Sequence, residues 1–299
     1  MDNWYNWLTK TRYEGLDKSE IINSQRWLNS ICDFMLNFSK IKRTDTVIDV
    51  GCGLGFFGLK ILEAQKGLGN VIFLDSDEEC LNECQKRINN LKINSGYMIL
   101  NSDCSKIPLE NNFVDNVVIR SVLAHVDNKK EALSEIYRIM KYNSIICDFE
   151  PVISQNKHYW EILPNDLVEK YSMFKNYEEI IWNDMSDSLL NYDYTTLHDL
   201  YEQVGFSNIK IIKHILPINM KVDNEIVDSW FNTKPAPNKK SLKEKFLLYE
   251  KESFIDEYIN EIKKGIIDQY IRIESNFCFI IAEKLGSTGL EPATSTMSM

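Results

Sequence analysis

The sequence of 299 residues predicts an α/β fold built on a doubly wound, mostly parallel sheet. Short apolar or β-branched runs alternate with helical patterns from residue 46 to residue 150. This alternation is typical of parallel strands that are joined by crossover helices. A glycine cluster follows the first strand and acids follow the next two. Ligands of such sheets bind beyond the carboxyl ends of the strands, so we expect the functional site there.

Residues 1–45 have apolar positions at helical spacing, which predicts an N-terminal helical cap. The core at 46–150 then contains five strands and three helices. The predicted strands are residues 46–50, 71–74, 97–100, 114–119 and 145–149, and the predicted helices are residues 58–65, 77–91 and 129–140.

The rhythm changes after Pro151, where residues 151–196 form an insert rich in tyrosine and tryptophan. Such an insert is either a lid over a substrate or plain core. Residues 197–216 and 276–284 predict the remaining core helix and strands, and 217–275 predict a helical insertion between them. The small, polar residues 285–299 predict a disordered tail.

The formal net charge of -10 disfavours binding to the phosphate backbone of nucleic acid. The densest basic cluster, residues 239–245, is interpreted as a solvated helix face. The seven cysteines form no CxxC pair and mostly lie in apolar runs, which is typical of reduced thiols in the cytoplasm. Cys80 and Cys84 would share a helix face but have no further ligands nearby, so no metal site is predicted. No signal peptide or membrane span is predicted.

The strongest chemical signal is the glycine loop from Asp49 to Gly55 (DVGCGLG), between a predicted strand and a predicted helix. Glycines there let the backbone turn sharply and approach a ligand. Residues 53–58 also match the GxGxxG pattern of dinucleotide sites, with Asp75 downstream, which would indicate an NAD-dependent oxidoreductase. Asp49 beside a pyrophosphate would be unfavourable, however. A carboxylate there suits a ligand with a cationic end, such as S-adenosylmethionine.

Residues 47–59 (VIDVGCGLGFFGL) resemble the first motif of the class I S-adenosylmethionine-dependent methyltransferases, and 119–151 are similar to the quinone C-methyltransferase branch. The resemblance implies a Rossmann-like, seven-stranded sheet. It implies that Asp75 binds the ribose hydroxyls, and that Asp103 and the Cys104 amide lie near the adenine. The cofactor contacts that it implies are Asp49, Gly51, Cys52, Gly53, Gly55, Asp75, Ser76, Asp103, Cys104 and Arg120.

One segment departs from the family pattern. The family usually has Pro-Gly-Gly before the fifth strand, and this chain has Tyr142-Asn143-Ser144. Asparagine tolerates a left-handed turn, so we retain the fold prediction. Gly205 and Phe206 match the family's usual entry into the sixth strand.

Several candidate residues have alternative roles. Asp75 and Asp103 would cap a helix or turn if they do not bind the cofactor. Arg120 would contact the cofactor's carboxyl end, contact the acceptor, or pair with a neighbouring acid. His125 is a candidate general base because it follows the fourth strand, but it would equally serve packing. His158, in the aromatic insert, is the second candidate.

Two further features remain open. Glu150 would either face the acceptor or satisfy nearby backbone groups. Trp4, Tyr5 and Trp7 would close over the cofactor.

The predicted function is methyl transfer from S-adenosylmethionine to an N, O or C atom of a small-molecule or peptide acceptor. Because the sulfonium is already activated, the protein mainly has to align the reactants and exclude water. A catalytically silent cofactor-binding partner protein and an NAD-dependent oxidoreductase are the alternatives.

Overall fold

The structure, a computed structural model, describes residues 3–14 and 16–286. Its centre is a seven-stranded sheet with the order β3-β2-β1-β4-β5-β7-β6. The strands are β1 (Thr46–Val50), β2 (Asn70–Asp75), β3 (Tyr97–Asn101), β4 (Val114–Arg120), β5 (Met140–Pro151), β6 (Ser207–Lys221) and β7 (Tyr270–Lys284). The tail predicted at 285–299 lies outside the described residues from 287 onwards.

Strands β1 to β5 are parallel, and β7 runs antiparallel between β5 and β6. Ile48 at the middle of β1 aligns with Ile72 of β2 and Val117 of β4. All three side chains are fully buried, because helices cover both faces of the sheet. The predicted doubly wound, mostly parallel, seven-stranded sheet is therefore confirmed.

The helices of the cap and the core are α1 (Trp4–Thr9), α2 (Lys18–Ser39), α3 (Phe56–Gln65), α4 (Glu78–Asn90), α5 (Lys129–Ile139) and α8 (Tyr194–Val204). One apolar cluster packs α5 and α8 on one face of the sheet. A second cluster packs α2, α3 and α4 on the other. The long helix α2 begins with a capping box formed by Asp17 and Glu20, and it packs against β5 and β7.

Strands β6 and β7 are longer than the sequence predicts, so the boundaries 217 and 275 of the helical insertion are wrong. The two strands pair from Ser207 to Lys221, and the insertion is confined to residues 222–269. Pro217 lies inside β6, opposite Glu274. A proline is tolerated there because β6 is the edge strand and one side of it has no partner to receive an N–H.

The aromatic insert and the helical insertion form one apolar cluster of their own. Their helices are α6 (Asn165–Lys170), α7 (Ser172–Trp182), α9 (Asn224–Asn232), α10 (Leu242–Phe246) and α11 (Glu252–Ile266). Phe174 of α7 stacks on Tyr258 of α11, with ring centroids 4.1 Å apart. Most of the insert's aromatic rings thus serve as core, one of the two alternatives. No helix of the described ranges is long and apolar enough to cross a membrane.

Candidate functional site

The main cavity of the described residues, about 770 Å³, lies beyond the carboxyl ends of β1, β2, β3 and β4. This volume is in the upper part of the range of small-molecule sites. Its lining includes Gly51, Gly53, Asp75, Ser76, Asp103, Cys104, Arg120 and His125. The structure therefore brings eight of the predicted residues to one cavity, at the sheet edge expected from the sequence.

The glycine loop turns sharply between β1 and α3. Gly51 has φ +63°, and a Cβ there would lie 2.3 Å from Cγ2 of Val122. Gly55 has φ +76°, and a Cβ would lie 2.4 Å from Sγ of Cys84. Only glycine fits these two positions without strain. Cys52 and Gly55 belong to the loop but do not line the cavity, so they contribute to the conformation of the loop.

Asp49 does not face the cavity, which corrects the expectation that its charge meets a cationic ligand. Its side chain is 2% exposed, and Oδ2 accepts a 2.7 Å hydrogen bond from the Gly58 amide in the first turn of α3. Burial raises the pKa of Asp49 to about 7. Asp49 thus ties β1 to the helix that follows the loop.

Asp75 stands at the end of β2 and contacts both the loop and the cavity. Its Oδ2 accepts a 2.7 Å bond from the Gly53 amide, and its Oδ1 accepts a 2.9 Å bond from the Asp77 amide. Burial raises the pKa of Asp75. The cap of α4 is Asp77, whose carboxylate accepts from the Cys80 amide, so capping does not account for Asp75.

Asp103 and Cys104 follow β3 at the same edge. Asp103 is exposed and accepts a 2.7 Å bond from the Ser105 amide, so it stabilises a turn while it lines the cavity. Cys104 is 9% exposed, and burial raises the pKa of its thiol to about 12. The thiol is therefore protonated and unreactive at neutral pH.

Glu150 satisfies backbone groups and does not line the cavity. Its two oxygens accept hydrogen bonds from the amides of Val122, Leu123 and Ala124, at 2.7, 2.9 and 3.0 Å. This fully buried carboxylate fixes the turn after β4. The same turn carries His125, so Glu150 sets the position of that histidine.

His125 lines the cavity and is held between two tryptophans. Its ring centroid lies 4.7 Å from that of Trp4 and 6.4 Å from that of Trp7. Its Nδ1 is buried with no hydrogen-bond partner among the described residues. Burial lowers the pKa of His125 to about 4, so the ring is neutral at pH 7.

His158 lies elsewhere, which corrects its candidacy as a catalytic residue. It lines a separate cavity of about 280 Å³ between the aromatic insert and the helical insertion. None of the residues that line the main cavity belongs to this second one. In the main cavity the lining includes no residue of 151–196, so the insert does not form its lid.

The cover of the cavity comes from helix α1. Trp4 and Trp7 line the cavity, whereas Tyr5 does not. The Trp4 amide donates to Asp77 at 3.0 Å, and the Trp7 indole donates to the Lys234 carbonyl at 2.8 Å. Helix α1 is therefore tied at one side to the start of α4 and at the other to the helical insertion.

Sequence reasoning missed many residues that line the cavity, among them Arg12, Tyr13, Trp27 and Phe277. Trp27 also packs in the core, since its ring contacts Phe149 and Phe277. The isolated Arg12 in an aromatic segment was the available signal. Its role depends on the fold, which brings Arg12 to the same cavity as Arg120 of β4.

Comparisons with known proteins agree with this geometry. A family model described as "Methyltransferase domain" matches residues 48–147. A demethylmenaquinone methyltransferase from Lactobacillus johnsonii is 26% identical over 188 residues, which span 58% of this chain and 72% of that protein.

Two solved structures share the fold. The YcgJ protein from Bacillus subtilis has a TM-score of 0.56 at 13% identity, covering 87% of this chain and all of that one. Phosphoethanolamine N-methyltransferase 2 from Haemonchus contortus, solved with S-adenosyl-L-methionine, has a TM-score of 0.52 at 17% identity, covering 96% of this chain and 61% of that one. Residues 48–147 match a methyltransferase domain, and these similarities support an S-adenosylmethionine-dependent methyltransferase over an NAD-dependent oxidoreductase.

Proposed function

We propose that the main cavity holds S-adenosylmethionine and a small-molecule acceptor side by side. The observation that carries this proposal is the placement of opposite charges around the glycine loop. Asp75 enters the cavity from the end of β2, and Arg120 enters it from the end of β4, on the two sides of β1. The cofactor has hydroxyl groups at one end and a carboxylate at the other, which matches this arrangement.

The residues present fit the nucleoside end of the cofactor. The carboxylate of Asp75 can accept hydrogen bonds from two vicinal ribose hydroxyls. Ser76 lies beside it, and Asp103 with the Cys104 amide would contact the adenine. Gly51 and Gly53 line the cavity without side chains, which allows a ligand to approach the backbone closely.

Arg120 is suited to bind the cofactor's carboxylate. No carboxylate of the described residues lies within ion-pair distance of its guanidinium. Burial lowers the pKa of Arg120. An enclosed guanidinium with unused donors is stabilised by a bidentate anion, and a carboxylate offers one.

The bound sulfonium supplies an activated methyl group, so the chain's own residues need only align the acceptor and exclude water. Trp4 and Trp7 cover the cavity and keep it dry. His125 is neutral at pH 7, and it lines the cavity while its Nδ1 is buried. A group with a pKa near 4 is a weak base at neutral pH, so His125 helps to position the acceptor and does not remove its proton.

A small acceptor fits better than nucleic acid. Three of the four lysines in the densest basic cluster are paired with acids, since Lys239 and Lys245 bind Asp187 at 3.0 and 2.8 Å, and Lys243 binds Asp256 at 2.7 Å. Of these four, Lys240 alone is exposed without an ion pair among the described residues. No free basic stripe is left there for a phosphate backbone. All seven cysteines are free and buried, which supports a reducing compartment, and we propose the cytoplasm.

Binding of two ligands to the wild type and three variants tests the residue roles. S-adenosylhomocysteine has the carboxylate, and 5′-methylthioadenosine lacks it. We expect Asp75→Asn to weaken both ligands and Arg120→Gln to weaken only the first, each by roughly 10-fold to 100-fold for a lost charge-assisted hydrogen bond. Arg26→Gln, at an exposed arginine of α2, is the control. Equal losses of both ligands in Arg120→Gln would contradict the assignment of Arg120.

A further inference from the structure

Two arginines face the main cavity. Arg12 lies in the 3-10 turn Thr11–Tyr13 after helix α1, and Arg120 lies at the end of β4. Neither guanidinium is within 4.0 Å of a carboxylate of the described residues. Like charges that share an enclosed space repel each other unless an anion lies between or beside them.

The acids that attract Arg120 from a distance are already engaged. Asp49 accepts a hydrogen bond from the Gly58 amide, and Glu150 accepts hydrogen bonds from three amides of the turn after β4. Burial is the largest cause of the lowered pKa of Arg120, and electrostatic repulsion by Arg12 is the second largest. The cavity lining also includes the carboxylates of Asp75, Asp103, Asp127 and Glu131, but none of them forms an ion pair with either arginine.

The bound cofactor offers Arg12 no anionic partner. Its sulfonium and ammonium groups add two positive charges, and its one carboxylate is assigned to Arg120 above. Arg12 then remains, beside a cationic cofactor. An acceptor with a negative group would satisfy Arg12 and oppose the charge of the sulfonium.

The surroundings of Arg12 are aromatic and apolar. Its guanidinium lies 4.5 Å from the ring centroid of Tyr13 and donates to the Tyr13 hydroxyl. Trp27 of α2 and Phe277 of β7 line the cavity with ring centroids 5.1 Å apart, and Leu16 and Leu28 line it as well. Such walls favour an apolar or aromatic body next to the charged group.

We propose that the methyl acceptor is a small molecule with an apolar or aromatic body and a carboxylate or phosphate, and that Arg12 binds this anionic group. The inference rests on the proposed function, because it assigns Arg120 to the cofactor. Arg12 is then the residue that selects the acceptor, and Tyr13 holds its guanidinium in place.

The test is calorimetric titration of the complex with S-adenosylhomocysteine. The probes are benzoate, phenyl phosphate and neutral benzyl alcohol, at millimolar concentrations. We expect benzoate or phenyl phosphate to bind at least about 10-fold more tightly than benzyl alcohol, as a charge-assisted bond to arginine implies. Tighter binding of benzoate would indicate a carboxylate site, and tighter binding of phenyl phosphate would indicate a phosphate site.

Variants assign the effect to Arg12. Arg12→Gln should weaken the anionic probes by about 10-fold to 100-fold and leave benzyl alcohol and S-adenosylhomocysteine unchanged. Arg12→Lys keeps the positive charge but lacks the planar guanidinium, so it should weaken the anionic probes less than Arg12→Gln does. Arg26→Gln should bind all ligands as the wild type does. The melting temperature of each variant reports whether it is folded.

Three results would overturn the proposal. They are equal binding of benzyl alcohol and the anions, binding of neither anion to the wild-type complex, and unchanged anion binding in Arg12→Gln. A loss of S-adenosylhomocysteine in Arg12→Gln would also overturn it, since Arg12 would then hold the cofactor. Failure of the wild type to bind S-adenosylhomocysteine would instead refute the proposed function, so the two failures are distinguishable.

Discussion

Replacement of His125 by phenylalanine should change how stability depends on pH. Phenylalanine keeps a ring between Trp4 and Trp7 but cannot titrate. The pKa of His125 falls from 6.5 to about 4 because the ring is buried. Above pH 6.5 the histidine is neutral in both states, so its full contribution to stability is present. As the pH falls through 6.5 towards 4, His125 becomes protonated in the unfolded state but stays neutral in the folded state. The free energy of unfolding therefore falls.

The magnitude follows from the two pKa values. This one group should cost the wild type about 2 kcal/mol of unfolding free energy between pH 7.5 and pH 5, and about 3 kcal/mol by pH 4. Urea unfolding of both proteins at several pH values measures the difference, which His125→Phe should lack. His198→Gln, at a side chain that is 44% exposed, is the control. Parallel pH profiles for wild type and His125→Phe would refute the buried, neutral histidine.

Two further substitutions test the loop. Gly51→Ala places a Cβ 2.3 Å from Val122 at φ +63°, so it should lower the free energy of unfolding in urea by more than about 1–2 kcal/mol. Gly265→Ala is the control, because this glycine lies inside α11 and its Cβ would have its nearest neighbour at 3.9 Å. It should raise the free energy of unfolding by up to about 1 kcal/mol. Equal effects would contradict the assigned turn. Asp49→Asn should remove a loss of about 2–3 kcal/mol that the wild type suffers between pH 5 and pH 8, because a raised carboxyl pKa destabilises the folded state as the pH rises towards 7. An unchanged profile would mean that Asp49 ionises freely.

The order and type of the core elements were predictable because their signals are local. The strands around Ile48, Ile72 and Val117 are short apolar runs that alternate with amphipathic helices, and that pattern alone indicates a parallel sheet. The extension of β6 through Pro217 was not predictable in this way. A proline in a sequence predicts the end of a strand, unless the strand is known to lie at the edge of the sheet.

The candidate site was predictable where it depends on chain order. Asp75 and Arg120 each end a strand, so the topology alone brings them to the same edge of the sheet. Asp49 shows the limit of such reasoning, because the sequence cannot tell that its carboxylate turns towards Gly58 and away from the cavity. Arg12 was missed because only the fold brings the turn after α1 to the cavity that Arg120 also lines.

The central claim is that one cavity beside the glycine loop binds an adenosyl cofactor. Thermal unfolding of the wild-type protein with S-adenosylhomocysteine, and separately with NAD, tests it most directly. A ligand that binds only the folded state adds about 2.7 kcal/mol at a free concentration 100 times its Kd, which raises the melting temperature. We expect a rise with S-adenosylhomocysteine and none with NAD. No rise with S-adenosylhomocysteine, or a rise with NAD alone, would contradict the account.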